Sequence, residues 1–137
     1  MPDARVEAIP ADLNEVDRRL SQAAAHLMSA DSAEIDPESA YILLYSAIHK
    51  ALSAALLADG RRVTSGTRGH QVLIQEARAL LGQEHSRLLD RLDRARRKRN
   101  RIAYETDEIG DQELDAMKES ARRTLDAVGR FVDDHRE

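Results

Sequence analysis

The 137 residues suffice for one domain with a buried core, and the absence of cysteine excludes a disulfide framework and a thiolate zinc site. The formal net charge of −4 means that any anion binding must come from a local basic patch. Aromatic residues make up only 3% of a chain rich in Ala and Leu, which favours helices and argues against stacking of nucleic-acid bases on aromatic platforms.

The chain shows no sequence signal for a membrane or for secretion. It has no run of about 18 consecutive apolar residues, the length that a membrane-spanning helix needs. Its first residues lack the apolar centre of a secretory signal. We therefore expect a cytoplasmic protein without a membrane partner.

Residues 1–9 are predicted to form a flexible N-terminus, and residues 10–137 a single helical domain. The first helix is predicted over about 11 to 28, following Pro10. Apolar residues at three- and four-residue steps predict its buried face: Leu13, Val16, Leu20, Ala23, Ala24 and Leu27.

The second helix has the clearest boundaries. Asp36 is a suitable N-cap, Pro37 fits the first helical position, and Gly60 allows the helix to end in a left-handed conformation. The apolar stripe from Tyr41 to Leu56 is wide, so we expect this helix to be central to the fold.

Three further helices are predicted after a basic, Gly-containing loop over 61–69: about 68–81, 83–104 and 111–134. We find no alternating strand pattern, and short connections make neighbouring helices antiparallel. The predicted fold class is all-α, an up-and-down bundle of four to five helices.

The fourth helix contains a basic residue where its apolar pattern predicts an aliphatic one. The inward stripe runs through Leu88, Leu92, Ala95, Arg99 and Ile102, in steps of four and three. An uncompensated guanidinium in a core costs several kcal/mol, so Arg99 is predicted to face a partner, a cleft or a subunit interface.

Arg99 lies within the segment RARRKRNR, residues 94–101, in which six of the eight residues are basic. Arg96 is its neighbour on the same side, and Arg97, Asn100 and Tyr104 follow at steps of three and four. A simpler interpretation is a helix end decorated with cations that favour the helix dipole, but it leaves the stripe position of Arg99 unexplained.

This helix resembles those of the HEPN domains, a family of small helical bundles, and the resemblance covers about residues 36 to 130. Two other segments are similar: AYILLYSAIHKALSAALLADGRR, from residue 40, and RGHQVLI, from residue 68. The family signature is an Arg, commonly followed by Asn or another polar residue, with a His four to six positions later. Arg99 and Asn100 match it, and Tyr104 stands in the place of the His.

The resemblance implies a homodimer whose two motifs line one cleft. It also implies either a metal-independent ribonuclease, often a toxin of a toxin–antitoxin or defence system, or a noncatalytic module that binds RNA or nucleotides. A phenol, with a pKa of about 10, is a far poorer base near neutrality than an imidazole. The substitution by Tyr104 therefore predicts weak or absent ribonuclease activity.

Histidines outside the motif have both functional and ordinary interpretations. His70, in the first turn of the third helix beside Arg68, is a candidate phosphate contact or an unremarkable polar residue. His49 either faces the cleft and replaces the lost proton carrier or is a surface or boundary residue. The spacing of the other histidines predicts no metal site, and we expect no cofactor.

The leading hypothesis is a divergent HEPN-like domain that binds RNA or a nucleotide phosphate. Arg99, Asn100 and Tyr104 form its predicted catalytic motif, and Arg96, Arg97, Arg68 and His70 its predicted phosphate contacts. The alternative is a nonenzymatic module whose basic helix docks an acidic protein, such as an antitoxin or a nucleotidyltransferase. The acidic segment from 107 to 113 is interpreted as a solvated turn or as a partner of the basic helix.

Overall fold

The computed structural model describes residues 3–105 and 108–136 and has an all-α fold. This part of the chain contains five α-helices: α1 (Leu13–Ser29), α2 (Pro37–Ala58), α3 (Gly69–Leu81), α4 (Ser86–Tyr104) and α5 (Asp111–Arg136). A 3-10 turn, Gln83–His85, leads into α4. Two short strands, β1 (Val6–Ala8) and β2 (Arg61–Val63), form an antiparallel ribbon. The predicted helical bundle is therefore confirmed.

Helix α2 lies at the centre of the bundle and contacts all four other helices. The Asp36 carboxylate accepts a hydrogen bond from the Ser39 amide at 2.9 Å, and Pro37 occupies the first turn, as predicted. Gly60 follows the helix with φ +74°, a conformation that costs glycine little. Buried residues surround most of α2: Ala40, Tyr41, Leu44, Tyr45, Ala47, Ile48, Ala51, Leu52, Ala54, Ala55, Leu56, Leu57 and Ala58.

The length and hydropathy of α2 alone would suit a membrane span. Most of its apolar window is buried within the bundle, as expected for the core helix of a compact domain.

Helix α1 packs on α2 with a narrower face than predicted. Val16 and Ala23 are fully buried, but Leu13 is 38% exposed and Ala24 is exposed, so these two assignments are wrong. Asp12 caps the helix through the Glu15 amide, which places Leu13 in the first turn. Ala24 follows Ala23 directly and therefore points about 100° away from the buried face.

The ribbon of β1 and β2 is the main departure from the predicted architecture. Val6 pairs with Val63, and the Arg5 amide donates to the Thr64 hydroxyl at 3.0 Å. Residues 6–8 are thus paired rather than loose. Three-residue strands are too short for an alternating pattern, and their pairing joins segments far apart in sequence.

Lys98, which is buried, contacts Glu108 in the connection between α4 and α5. Its Nζ donates to the Glu108 carbonyl at 2.9 Å and lies 3.5 Å from a Glu113 carboxylate oxygen. These contacts favour pairing between the acidic segment and the basic helix; Asp107, in the same segment, lies outside the described residues.

Candidate functional site

A groove of about 400 Å³ lies between the beginning of α3 and the C-terminal half of α4. We call it the cationic groove. It brings together six of the seven residues that the sequence analysis selected: Arg68, His70, Arg96, Arg99, Asn100 and Tyr104. Gly66, Gly69 and Gln71 complete its lining, which contains no carboxylate.

Arg99 lies at the edge of the core. Leu92 and Ala95 are buried, whereas Arg99 and Ile102 are half-buried, so the apolar stripe opens towards the groove over the last turns of α4. Arg99 Nη1 donates to Asn100 Oδ1 at 3.2 Å. Within residues 3–105 and 108–136 the Arg99 guanidinium has no carboxylate partner. Its positive charge is therefore directed towards the groove without neutralisation.

Arg96 and Arg68 bring two further guanidinium groups, each held by an acidic residue. Arg96 Nε lies 3.2 Å from an Asp93 oxygen, and Arg68 Nη2 lies 3.2 Å from an Asp3 oxygen. The hydrogen bonds from Arg97 and Arg96 outweigh burial and lower the pKa of Asp93, which keeps its carboxylate ionised. These ion pairs orient two guanidiniums beside Arg99.

Arg97 is the predicted site residue that does not line the groove. Its side chain is exposed and pairs with Asp93 at 2.7 Å. Arg97 lies two positions before Arg99, and residues so spaced point to different sides of a helix. Its predicted role in the phosphate site lacks geometric support in this structure.

Tyr104 is the last residue of α4 and is 81% exposed. Its ring lines the outer end of the cationic groove. In this position the phenol is available for stacking or for hydrogen bonding to a bound molecule.

The beginning of α3 also faces the groove. Its N-cap residue, Arg68, has φ +63° and gives no side-chain hydrogen bond to the helix amides. Gly69, His70 and Gln71, the first three helical residues, all line the groove. Their amides lie at the positive end of the helix dipole, which adds to the attraction of the guanidiniums for an anion.

Two histidines and a tyrosine form a ring cluster beside the cationic groove. His70 stacks on Tyr45, with centroids 5.6 Å apart and an angle of 13°, and lies 4.4 Å from the His49 ring. Burial lowers the pKa of His49 to about 4, aided by His70 and Lys50. Burial also lowers the pKa of His70, and the positive charges of Arg99 and Arg96 lower it further. Both imidazoles are therefore neutral near pH 7.

A second cavity, of about 380 Å³, adjoins the first, and we call it the side cavity. It shares Gly66, Gly69 and His70 with the cationic groove. Its other lining residues come from α1, α2, α3, β2 and the loop after β2: Arg19, His49, Ser53, Leu56, Arg62, Val63, Thr64, Ser65 and Leu73. The spacing of residues along the sequence does not predict this cavity, because its walls come from segments distant in sequence.

Together the two cavities offer guanidiniums, helix amides and neutral imidazoles to a ligand, which suits an anionic group attached to a polar ring.

Among the residues that the structure describes, no group of three or more potential His, Cys, Asp or Glu ligands is arranged for a metal ion. Neither a protein-family model nor a curated protein matches the chain.

Proposed function

We propose that the chain is a divergent HEPN-like domain whose cationic groove binds the phosphate of RNA or of a nucleotide, with weak or lost metal-independent ribonuclease activity. The observation that carries the proposal is the half-buried Arg99. It has no carboxylate partner in the described part of the chain, and it shares a groove with Arg68 and Arg96.

The energetics favour an anion over a neutral ligand. Partial burial reduces the hydration of a guanidinium, and an uncompensated charge gains most from an anion that enters its groove. A charge-assisted hydrogen bond contributes about 1.5 to 3 kcal/mol, equivalent to roughly 10- to 150-fold in affinity. Phosphate also suits the planar, bidentate donors of arginine better than it suits a lysine.

Catalysis is proposed to be weak because of the geometry around Tyr104. The exposed phenol lines the groove, where it can stack on a ligand or hydrogen-bond to it, and a phenol is a poorer general base than the imidazole of the HEPN motif. The groove is also lined by an imidazole, that of His70, but His70 lies at the beginning of α3 and not at the position of Tyr104 on α4.

The binding test is fluorescence anisotropy with labelled single-stranded RNA at low salt. Arg99→Ala should weaken binding at least tenfold. Arg94→Ala is the matched control, because Arg94 is an exposed residue of α4 that does not line the groove. Equal losses for the two variants would contradict a phosphate site at Arg99.

Cleavage is tested separately, by incubating the labelled RNA with the protein in EDTA. The proposal expects little or no cleavage while binding persists. Rapid cleavage that survives Arg99→Ala would show that the reaction takes place elsewhere.

The alternative, docking of an acidic protein such as an antitoxin or a nucleotidyltransferase, is favoured by a different surface. Arg87 and Arg94 are exposed on α4 and have no carboxylate partner within the described ranges. An acidic partner that binds the purified chain and is released by Arg87→Glu with Arg94→Glu, but not by Arg99→Ala, would support this alternative. Dimer formation, which the resemblance implies, is tested by light scattering of the purified chain.

A further inference from the structure

We propose that the side cavity receives the nucleoside part of an unpaired nucleotide whose phosphate lies in the cationic groove. This inference rests on the proposed phosphate binding and adds a ligand class to it. The juxtaposition that carries it is the wall that the two cavities share, formed by Gly66, Gly69 and His70.

The shared wall permits one ligand to occupy both cavities. Two of its three residues are glycines, which place no side chain between the cavities. The third, His70, is fixed by its contacts with Tyr45 and His49. A molecule bound to Arg99 can therefore extend past the His70 ring into the side cavity.

The charges in the two cavities favour different parts of the ligand. The guanidiniums of the side cavity, Arg19 and Arg62, form ion pairs with Glu15 and Glu7. Arg99, in the cationic groove, has no carboxylate partner in the part of the chain that is described. A phosphate is therefore favoured next to Arg99, and an uncharged ring next to the compensated pairs.

The lining of the side cavity suits a flat, polar heterocycle. Leu56 and Leu73, both buried, and the half-buried Val63 give it apolar surface. His49, Ser53 and Ser65 add polar groups. Ligand pockets combine apolar surface with a few such groups, and they commonly measure about 300 to 1,000 Å³.

The neutral imidazoles provide hydrogen bonding without added charge. Neither His49 nor His70 hydrogen-bonds to another described residue, and no buried side-chain nitrogen or oxygen there lacks a partner. Their ring nitrogens therefore reach solvent and are available to a base edge or a ribose hydroxyl.

An unpaired nucleotide is required because the base must leave any stack to enter the cavity. In duplex RNA the bases are paired and stacked, so a duplex offers only its backbone and groove edges. Either a free nucleotide or a nucleotide within a single strand satisfies this requirement.

The central experiment is calorimetric titration of the full chain with 5′-AMP, ribose 5-phosphate and inorganic phosphate. The wild-type chain should bind 5′-AMP at least tenfold more tightly than ribose 5-phosphate. Equal affinities would overturn the inference, since the base would then make no contact. This comparison needs no variant and is independent of any folding defect.

Two variants separate the inference from the function on which it rests. Ser53→Phe fills the side cavity from α2, and Ser53→Ala removes the same hydroxyl without filling it. Ser53→Phe should weaken the binding of 5′-AMP at least tenfold and leave the affinity for inorganic phosphate unchanged. Ser53→Ala should weaken the binding of 5′-AMP less than Ser53→Phe does. Arg99→Ala should weaken both ligands.

The failures are distinguishable. If Arg99→Ala affects neither ligand, the proposed phosphate site is wrong. If Arg99→Ala weakens both but folded Ser53→Phe binds 5′-AMP normally, only the placement of the nucleoside is wrong. Single-stranded oligo(A) that binds more tightly than 5′-AMP identifies a strand as the source of the nucleotide, and equal affinity identifies the free nucleotide. Tighter binding of a duplex of equal length contradicts the inference.

Discussion

Arg68 combines an unfavourable backbone conformation with a position in the cationic groove. Among the residues that the structure describes, it is the one non-glycine residue with positive φ, at +63°. Such a conformation costs of order 1 kcal/mol or more for a residue with a Cβ. Its side chain is exposed and pairs with Asp3, an interaction of little net stability at the surface. An exposed ion pair does not offset this strain, which supports the proposed role of Arg68 in binding.

Glycine and alanine at position 68 separate strain from charge. Arg68→Gly and Arg68→Ala both remove the guanidinium, so both should weaken RNA binding several-fold. Arg68→Gly should be more stable than Arg68→Ala by about 1 kcal/mol, because only glycine adopts this conformation without a steric cost. Urea unfolding measures the difference, and equal stability of the two variants would show that the backbone at 68 is unstrained.

His49 should make stability depend on pH. Its folded-state pKa, about 4, is lower than the ordinary value of 6.5 that the unfolded chain has. The unfolded state therefore binds more protons between these values, and stability present above pH 6.5 is lost as the pH falls towards 4. Between pH 7 and 4.5 the loss from this residue should be about 2 kcal/mol.

The measurement is urea unfolding at pH 7, 5.5 and 4.5 for the wild type and His49→Gln. The variant lacks the titrating group, so its free energy of unfolding should fall by about 2 kcal/mol less than that of the wild type between pH 7 and 4.5. Parallel curves for the two proteins would mean that burial does not lower the pKa of His49 in the folded state. Carboxylates with lowered pKa, such as Asp93, are common to both proteins and cancel in the comparison.

The sequence predicted which residues lie together best where they share one helix with a regular spacing. Arg96, Arg99, Asn100 and Tyr104 follow from positions on α4, and the structure places all four around one groove. Arg97 shows the limit, because it lies two positions before Arg99 and points to a different side of the helix, where its side chain is exposed. The contact between His49 and His70 joins two helices, and periodicity within one helix contains no information about it.

At the scale of elements, helices with strong local signals were predicted almost to the residue. Helix α2 begins after Asp36 and is followed by Gly60, since capping and termination are decided by neighbouring residues. The ribbon of β1 and β2 was not predicted, because its stability comes from partners more than 50 positions away. The 3-10 turn before α4 likewise fell within the predicted fourth helix.

Gly60 should be the glycine least tolerant of substitution in the turn between α2 and β2. A Cβ at this position would lie 3.2 Å from the Ile9 carbonyl oxygen, and φ is +74°. Gly60→Ala should destabilise the protein by about 1 to 3 kcal/mol and loosen the ribbon, whose adjoining Ile9 amide donates to the Gly60 carbonyl.

Gly129→Ala is the matched control for this prediction. Gly129 lies within α5, and a Cβ there meets nothing within 4 Å. Alanine should therefore stabilise the helix by about 0.5 to 1 kcal/mol. Thermal unfolding of the two variants should give shifts of opposite sign, and a lowered Tm for both would show that the effect of position 60 is not specific to its backbone conformation.

At the scale of the whole molecule, the fold concentrates positive charge on a chain that is acidic overall. The net charge of −4 disfavours nonspecific attraction of a polyanion, whereas three guanidiniums converge on the cationic groove. The convergence depends on packing of α3 beside α4, which composition does not reveal. For the nucleic-acid binding proposed above, a local patch on an acidic protein favours a small footprint, of one to a few phosphates.

The salt dependence of RNA binding measures that footprint. Neutralising three phosphates of a single strand gives a slope of about −2 for the logarithm of affinity against the logarithm of salt concentration. Arg99→Ala should reduce the magnitude of this slope by about 0.7, and Arg94→Ala should leave it unchanged because Arg94 lies outside the groove. Anisotropy titrations between about 50 and 200 mM salt resolve this difference. A flat salt dependence would exclude phosphate neutralisation as the basis of binding, and a steep slope unaffected by Arg99→Ala would place the phosphates on the exposed arginines of α4 instead.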